Sequence, residues 1–180
     1  MGSEMCIRDS RRFVQTWSVA DFETHFPRLE AGRNFERGQA LFEALQCSAC
    51  HRVGDLGVPY GPDLTGVGGR FSPRDLLLAT IEPARDLSDQ YAGSRVETRD
   101  GEIHVGLPVE RTATTLVLAP DPRTGTLRVE IPIESIVSES TATTMPAGLV
   151  DTATMDEVLD LLAYLRSAGD RDDAAFLPPP

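Results

Sequence analysis

The chain has 180 residues, 41% of them hydrophobic and 25% charged, with a formal net charge of -11. That length suits one good core or two small modules, and that composition is ordinary globular composition, which excludes general disorder. The negative charge argues against nucleic acid and anionic membranes as partners, and no apolar run approaches the length of a membrane span.

Residues 1–10 hold no apolar stretch of the kind that makes a signal peptide. Met5-Cys6-Ile7-Arg8-Asp9-Ser10 resembles translated adapter sequence, so residues 1–10 are read as non-native or disordered, and Cys6 as without function. Residues 11–33 form a lead-in. Ser18 caps a short helix with Asp21 at its third position, and Val19, Phe22 and Phe26 fall on one face. Trp17 and Phe13 read as packing residues, and His25 as a surface or packing histidine.

Asn34 caps a helix predicted from Phe35 to about Gln46, with Phe35, Leu41, Phe42 and Leu45 as its apolar positions. Gly38 inside it costs on the order of 1 kcal/mol against alanine. A close crossing by a second helix would offset that cost. The helix runs into Cys47-Ser48-Ala49-Cys50-His51. This C-x-x-C-H spacing is the attachment signature of c-type haem. Two thiols one turn apart add to the two vinyl groups of one porphyrin, and the adjacent imidazole becomes an axial iron ligand. A thioredoxin-like redox pair and half of a zinc site are the alternatives.

A glycine-rich loop follows, from Gly54 to Gly69, and contains Gly61-Pro62-Asp63-Leu64. Either this is a plain turn, or the Pro62 carbonyl accepts the Nδ1 hydrogen of His51 and fixes its tautomer. Ser72-Pro73-Arg74-Asp75 is a helix start, and Pro83 stops that helix.

Residues 92–140 change texture. Arg95–Thr98, Ile103–Val109, Thr115–Ala119, Leu127–Ile131 and Ile136-Val137 alternate as short strands, with turns at Asp100-Gly101 and from Pro120 to Gly125. Five such strands predict a small antiparallel barrel or curled sheet, inserted as a structural or docking module. Alternation puts His104 on its solvent face with Glu102.

Thr144-Met145-Pro146-Ala147-Gly148 is the second chemical candidate. A thioether on such a loop either fills a gap in the core or reaches the iron from the side opposite His51. Thr154 and Glu157 form a capping box for a helix to about Arg166, whose buried stripe is Met155, Val158, Leu159, Leu162 and Leu165. Tyr164 is placed to pack on the Gly38–Phe42 surface, Gly169 ends the helix, and the tail 169–180 is expected to fray.

The helix with Gly38 and Phe42, C-x-x-C-H, Gly-Pro-Asp-Leu, the Met145 loop and the terminal helix with Leu161 and Tyr164 occur in the order of class I cytochromes c. More narrowly, Phe13 to Arg166 resembles the C-terminal haem-binding domain of large secreted proteins of planctomycetes and verrucomicrobia, which carry a strand-rich insertion before the methionine loop. The resemblance implies a mainly α fold, a class I cytochrome c of helices around covalent haem with the inserted β module. Residues 34–91 and 141–168 would form the haem domain. Cys47 and Cys50 would be the thioether links, His51 the proximal ligand, Pro62 its carbonyl partner and Met145 the distal ligand, with His104 as the fallback.

The implied function is electron transfer in the periplasm or another extracytoplasmic space, by a carrier domain that is not itself an enzyme. Its partner is a redox protein or upstream domain offering a basic patch, and any signal peptide belongs to a longer parent chain. The rival readings are a five-coordinate haem sensor or peroxidase-like domain, a binding module working through its β insertion, and a zinc module.

Overall fold

The computed structural model describes residues 11–121 and 127–179. Three α-helices build its main core: α1 (Phe35–Ala44), α2 (Pro73–Ile81) and α3 (Met155–Arg166). Each starts on a side-chain cap that satisfies amides no helical carbonyl can reach. The Asn34 side-chain Oδ1 accepts from the Arg37 amide at 2.7 Å. Ser72 and Asp75 cap α2 reciprocally, and Thr154 and Glu157 do the same for α3. Gly169, at a φ of 76°, turns the chain after α3 as its amide reaches back to the Tyr164 carbonyl.

The α1/α3 crossing is the centre of this core. Gly38 is what lets it close: a Cβ there would stand 2.4 Å from the Asp160 carbonyl oxygen and 2.9 Å from Tyr164 Cβ. The Tyr164 ring fits between Phe35 and Phe42, with centroids 5.5 and 5.8 Å away.

Two expectations are corrected here. The buried part of α3 is not a stripe, because every residue from Val158 to Leu165 is buried. α1 covers one side, while α2 and the 3-10 turns Phe26–Leu29 and Val67–Gly69 pack on the others. The polar member, Asp160, is fully buried but satisfied. It accepts the Asn34 amide at 3.1 Å and pairs with Arg33 at 3.3 Å and with Arg37.

The tail does not fray over its described part. The Gly32 and Arg33 amides donate to the Leu177 and Ala175 carbonyls at 2.7 and 2.8 Å. Phe176 stacks edge-on against Phe35, and the Arg171 guanidinium lies 4.5 Å from the Phe35 ring centroid. These aromatic and cation–π contacts give the tail apolar burial that its proline-rich composition conceals.

The strands are β1 (Arg52–Val53), β2 (Leu56–Gly57), β3 (Gly93–Thr98), β4 (Ile103–Arg111), β5 (Thr115–Ala119), β6 (Val129–Pro132) and β7 (Ile136–Ala142). β1 and β2 form a small hairpin just after His51, which periodicity did not reveal. The other five make one antiparallel sheet in the order β6-β5-β4-β3-β7, with its own small core of Val96, Leu116, Leu118 and Ile131.

The expected mainly α fold is therefore wrong, and of the barrel or curled sheet expected for the insertion, the barrel is not formed among the described residues. The helices are short, with 10, 9 and 12 residues, and the five-stranded sheet holds as many residues as they do. Nor does the sheet close among the described residues, since β6 and β7 remain its two edges. It cannot be flat either. Flat, its edges would lie about 19 Å apart, four strand spacings. Pro132 and Ile136, joined by the 3-10 turn Ile133–Ser135, span at most about 15 Å of chain. Arg111 of β4 pairs at 2.5 Å with Glu139 of β7, two strands away in the sheet order.

Strand boundaries also differ: the first strand starts at Gly93 rather than Arg95, and the second runs on to Arg111 rather than Val109. The fourth strand starts at Val129 rather than Leu127, and the fifth extends to Ala142. The expected turn from Pro120 to Gly125 lies largely outside the described residues.

Candidate functional site

α1 stops short of the cysteine motif. Gln46 takes a left-handed φ of 65°, and the chain tightens into a 3-10 turn, Cys47–Ala49. The Cys50 and His51 amides both donate to the Cys47 carbonyl, at 3.1 and 2.8 Å. In such a turn, residues three apart lie one above the other, which sets Cys47 and Cys50 on one side. Both are half-buried thiols. Burial pushes the Cys47 thiol up to about 11; a backbone hydrogen bond opposes the rise and Cys50 adds to it. A thioredoxin-like nucleophile needs the opposite shift. Among the described residues no three His, Cys, Asp or Glu side chains gather as a metal site.

His51 Nδ1 lies 2.8 Å from the Pro62 carbonyl oxygen. That oxygen only accepts, so Nδ1 carries the hydrogen, and Nε2 is left with the lone pair a metal needs. Gly61 lies directly on the ring. A Cβ at Gly61 would stand 2.7 Å from His51 Cε1 and 3.0 Å from Nδ1. The Gly61 amide also donates to the Cys50 carbonyl at 2.6 Å, tying the loop back to the motif. Gly57, at a φ of 94°, leaves no room for a side chain beside the His51 carbonyl.

Asp63 anchors the Pro62 segment from the other side. It pairs with Arg52, next to His51, and its Oδ1 accepts the Thr65 amide at 2.9 Å. The Leu64 amide reaches the Arg52 carbonyl at 2.8 Å. Hydrogen bonds from Thr65 and then Arg52 hold the Asp63 carboxyl well below the usual carboxylate range. Gly61 and Asp63 stood in the Gly-Pro-Asp-Leu stretch, but the Gly61 and Gly57 clearances and the Arg52–Asp63 clamp escaped the sequence reading. The only local signal was an Asp two residues before a Thr, a common turn former.

Met145 is half-buried between β7 and α3, its amide bound to Thr143 Oγ1 at 3.0 Å. A groove of about 340 Å³ is lined by Leu45 and Gln46, just before Cys47, and by Gly148 and Leu149, just after Met145. Cys47, Cys50, His51 and Met145 themselves do not line it. His104 belongs elsewhere. Register sets it opposite fully buried Val96, on the core side of the sheet, with its side chain 22% exposed and Nε2 3.4 Å from Glu102. Its expected solvent-face position is incorrect, because the strand's exposed apolar residues, Ile103 and Val105, take that face.

Residues 35–102 match the family model described as Cytochrome c. The match supports a cytochrome c domain and, with it, haem-based electron transfer. It runs from the start of α1 through the cysteine motif and the Pro62 segment into the sheet, and it ends before Met145. No curated protein matches the chain. Cytochrome c implies a haem that is normally bound covalently, and cytochrome c domains are typically extracytoplasmic. The residues present fit haem: two thiols on one turn, an imidazole with its coordinating nitrogen set by a backbone carbonyl, and glycines that clear the space around that ring. No helix among the described residues is long and apolar enough to cross a membrane.

Proposed function

We propose that this chain carries electrons through a c-type haem held by Cys47 and Cys50, with His51 and Met145 as axial ligands. We propose further that it does so as the C-terminal domain of a larger secreted protein. Residues 34–91 and 141–168 make up the haem domain and 92–140 an inserted module. The bond from His51 Nδ1 to the Pro62 carbonyl is the observation that carries this reading. It fixes the tautomer and adds basicity to Nε2, which is what an axial histidine needs.

When bound, haem supplies iron that cycles between two oxidation states. The protein's own part is to hold it and to shield it. The two cysteines anchor it at the end of α1. The His51 ring stays fixed between Gly61 and the Pro62 carbonyl, so little reorganises when charge moves. Met145 would supply the second iron ligand, and a thioether there would favour the reduced state relative to a second histidine and would leave no position for a substrate. With a net charge of -11, the chain suits a redox partner that presents a basic patch.

The test is expression in a host competent for haem maturation and secretion. We expect a covalently attached haem, a low-spin reduced spectrum that carbon monoxide leaves unchanged, and a weak sulfur-to-iron band that Met145→Ala removes while lowering the midpoint potential. A Met145→Ala spectrum identical to wild type would reject the distal assignment. Colourless protein after correct maturation would reject the whole reading.

A further inference from the structure

The lead-in, residues 11–17, is extended and makes its bonds far along the sequence. The Val14 and Gln15 amides both donate to the Asp151 carbonyl, at 2.8 and 3.2 Å. Trp17 Nε1 donates to the Ala153 carbonyl at 3.0 Å. Arg11 Nε donates to the Thr152 carbonyl at 3.3 Å, and its Nη2 pairs with Glu157 at 2.6 Å. Every one of these acceptors lies between Met145 and the first turn of α3. Arg11 also lines the groove shared by Leu45 and Gln46, which precede Cys47, and by Gly148 and Leu149, which follow Met145.

Inside that loop the bonds are few. The Asp151 amide reaches the Gly148 carbonyl at 3.1 Å, and the Ala153 amide reaches the Val150 carbonyl at 2.9 Å. Val150 and Ala153 are buried in the core, but Pro146, Ala147 and Gly148 are exposed. A loop of this kind is held in place largely by what lies across it.

We infer that residues 11–17 are a strap that holds the Met145 loop in its ligating position, with Arg11 and Trp17 as the positioning residues. This rests on the His51/Met145 reading above. Arg11 and Trp17 touch neither ligand; they act through Asp151–Glu157. Releasing the strap raises the fraction of molecules whose thioether is away from the iron, and that fraction sets how readily an added ligand enters.

The experiment is imidazole binding to the oxidised holoprotein, followed by loss of the sulfur-to-iron band. Trp17→Phe keeps the ring against Phe22, 5.1 Å between centroids, and removes one hydrogen bond. Arg11→Gln removes the ion pair at an exposed site. Each variant is expected to bind imidazole several-fold more tightly than wild type, and the pair about tenfold or more, as loss of two ordinary hydrogen bonds implies. Arg11→Lys, which keeps the charge facing Glu157, should recover part of the loss, and Arg12→Gln should match wild type. Imidazole affinities within about twofold of wild type in both Trp17→Phe and Arg11→Gln would overturn the strap. A wild type that lacks the sulfur-to-iron band, and whose imidazole binding Met145→Ala leaves unchanged, would instead overturn the ligand reading beneath it.

Discussion

Gly61 and His51 lie face to face: a Cβ on Gly61 would come within 2.7 Å of the imidazole Cε1. The glycine leaves the ring room to lie flat, and the next residue's carbonyl oxygen, 2.8 Å from Nδ1, fixes its rotation. Gly61→Ala is therefore expected to push the ring off that carbonyl, at an overpacking cost of about 1–3 kcal/mol. Pro62→Ala keeps the carbonyl and loses only chain stiffness, about 0.4–1 kcal/mol. Haem loading and ligand-field spectra compare the two. A fully loaded Gly61→Ala protein with a wild-type spectrum would show that the ring tolerates displacement.

Gly38→Ala addresses the helix crossing. The new methyl meets the Asp160 carbonyl at 2.4 Å and Tyr164 Cβ at 2.9 Å, and backbone cannot swing aside as a side-chain tip can. A loss of about 3 kcal/mol, the upper end for overpacking, is expected in chemical denaturation. A loss below about 0.5 kcal/mol, the level of an ordinary surface change, would mean that the helices separate freely.

Asp160→Ala removes a fully buried carboxylate that serves two arginines and one amide. Arg33, with only 10% of its side chain exposed, then keeps only the half-exposed Asp156 at 3.4 Å. Breaking a buried pair in this way costs about 3–5 kcal/mol. Arg28→Gln, which takes a surface partner from Asp156, should cost about 1 kcal/mol or less. Unfolding midpoints of the two variants measure the contrast, and equal losses would refute it.

Asp63 makes the Pro62 segment sensitive to acid. Its carboxyl is held low in the folded protein, so its contribution is complete above the unfolded value near 3.8 and fades as pH falls toward the folded value. Wild type should be more stable than Asp63→Asn at neutral pH. That advantage should shrink from about pH 5 downward as the unfolded carboxyl begins to bind protons. Thermal midpoints of both proteins across that range test this, and a difference that does not change with pH would exclude the charge as its source.

Local chemistry was legible in the chain. Asn34, Ser72 and Thr154 mark helix starts because a cap acts within three residues. C-x-x-C-H declares its cofactor because the attachment chemistry is itself local. Alternation located the strands for the same reason. Burial depends instead on what comes from elsewhere in the chain, and that is where the readings failed. Asp160 is buried within α3 because Arg33, just before α1, and Arg37, within it, reach its carboxylate. The tail looked loose until Phe35 gave Phe176 a surface. Alternation could not say which face of β4 turns inward, so His104 was placed outward.

The weight of the sheet against the helices, and its failure to close, also waited on tertiary structure. Closure depends on whether two distant edges pair, and residues 133–135 bring those edges near without laddering them. By itself the sequence determined the C-x-x-C-H motif, the caps, and the order of the three helices and the five longer strands. Only the fold decided that Pro62 faces His51, that Gly61 clears its ring, and that residues 11–17 lie across the Met145 loop. Each of these is a contact between segments whose meeting is set by packing, and packing leaves no mark on neighbouring residues in the chain.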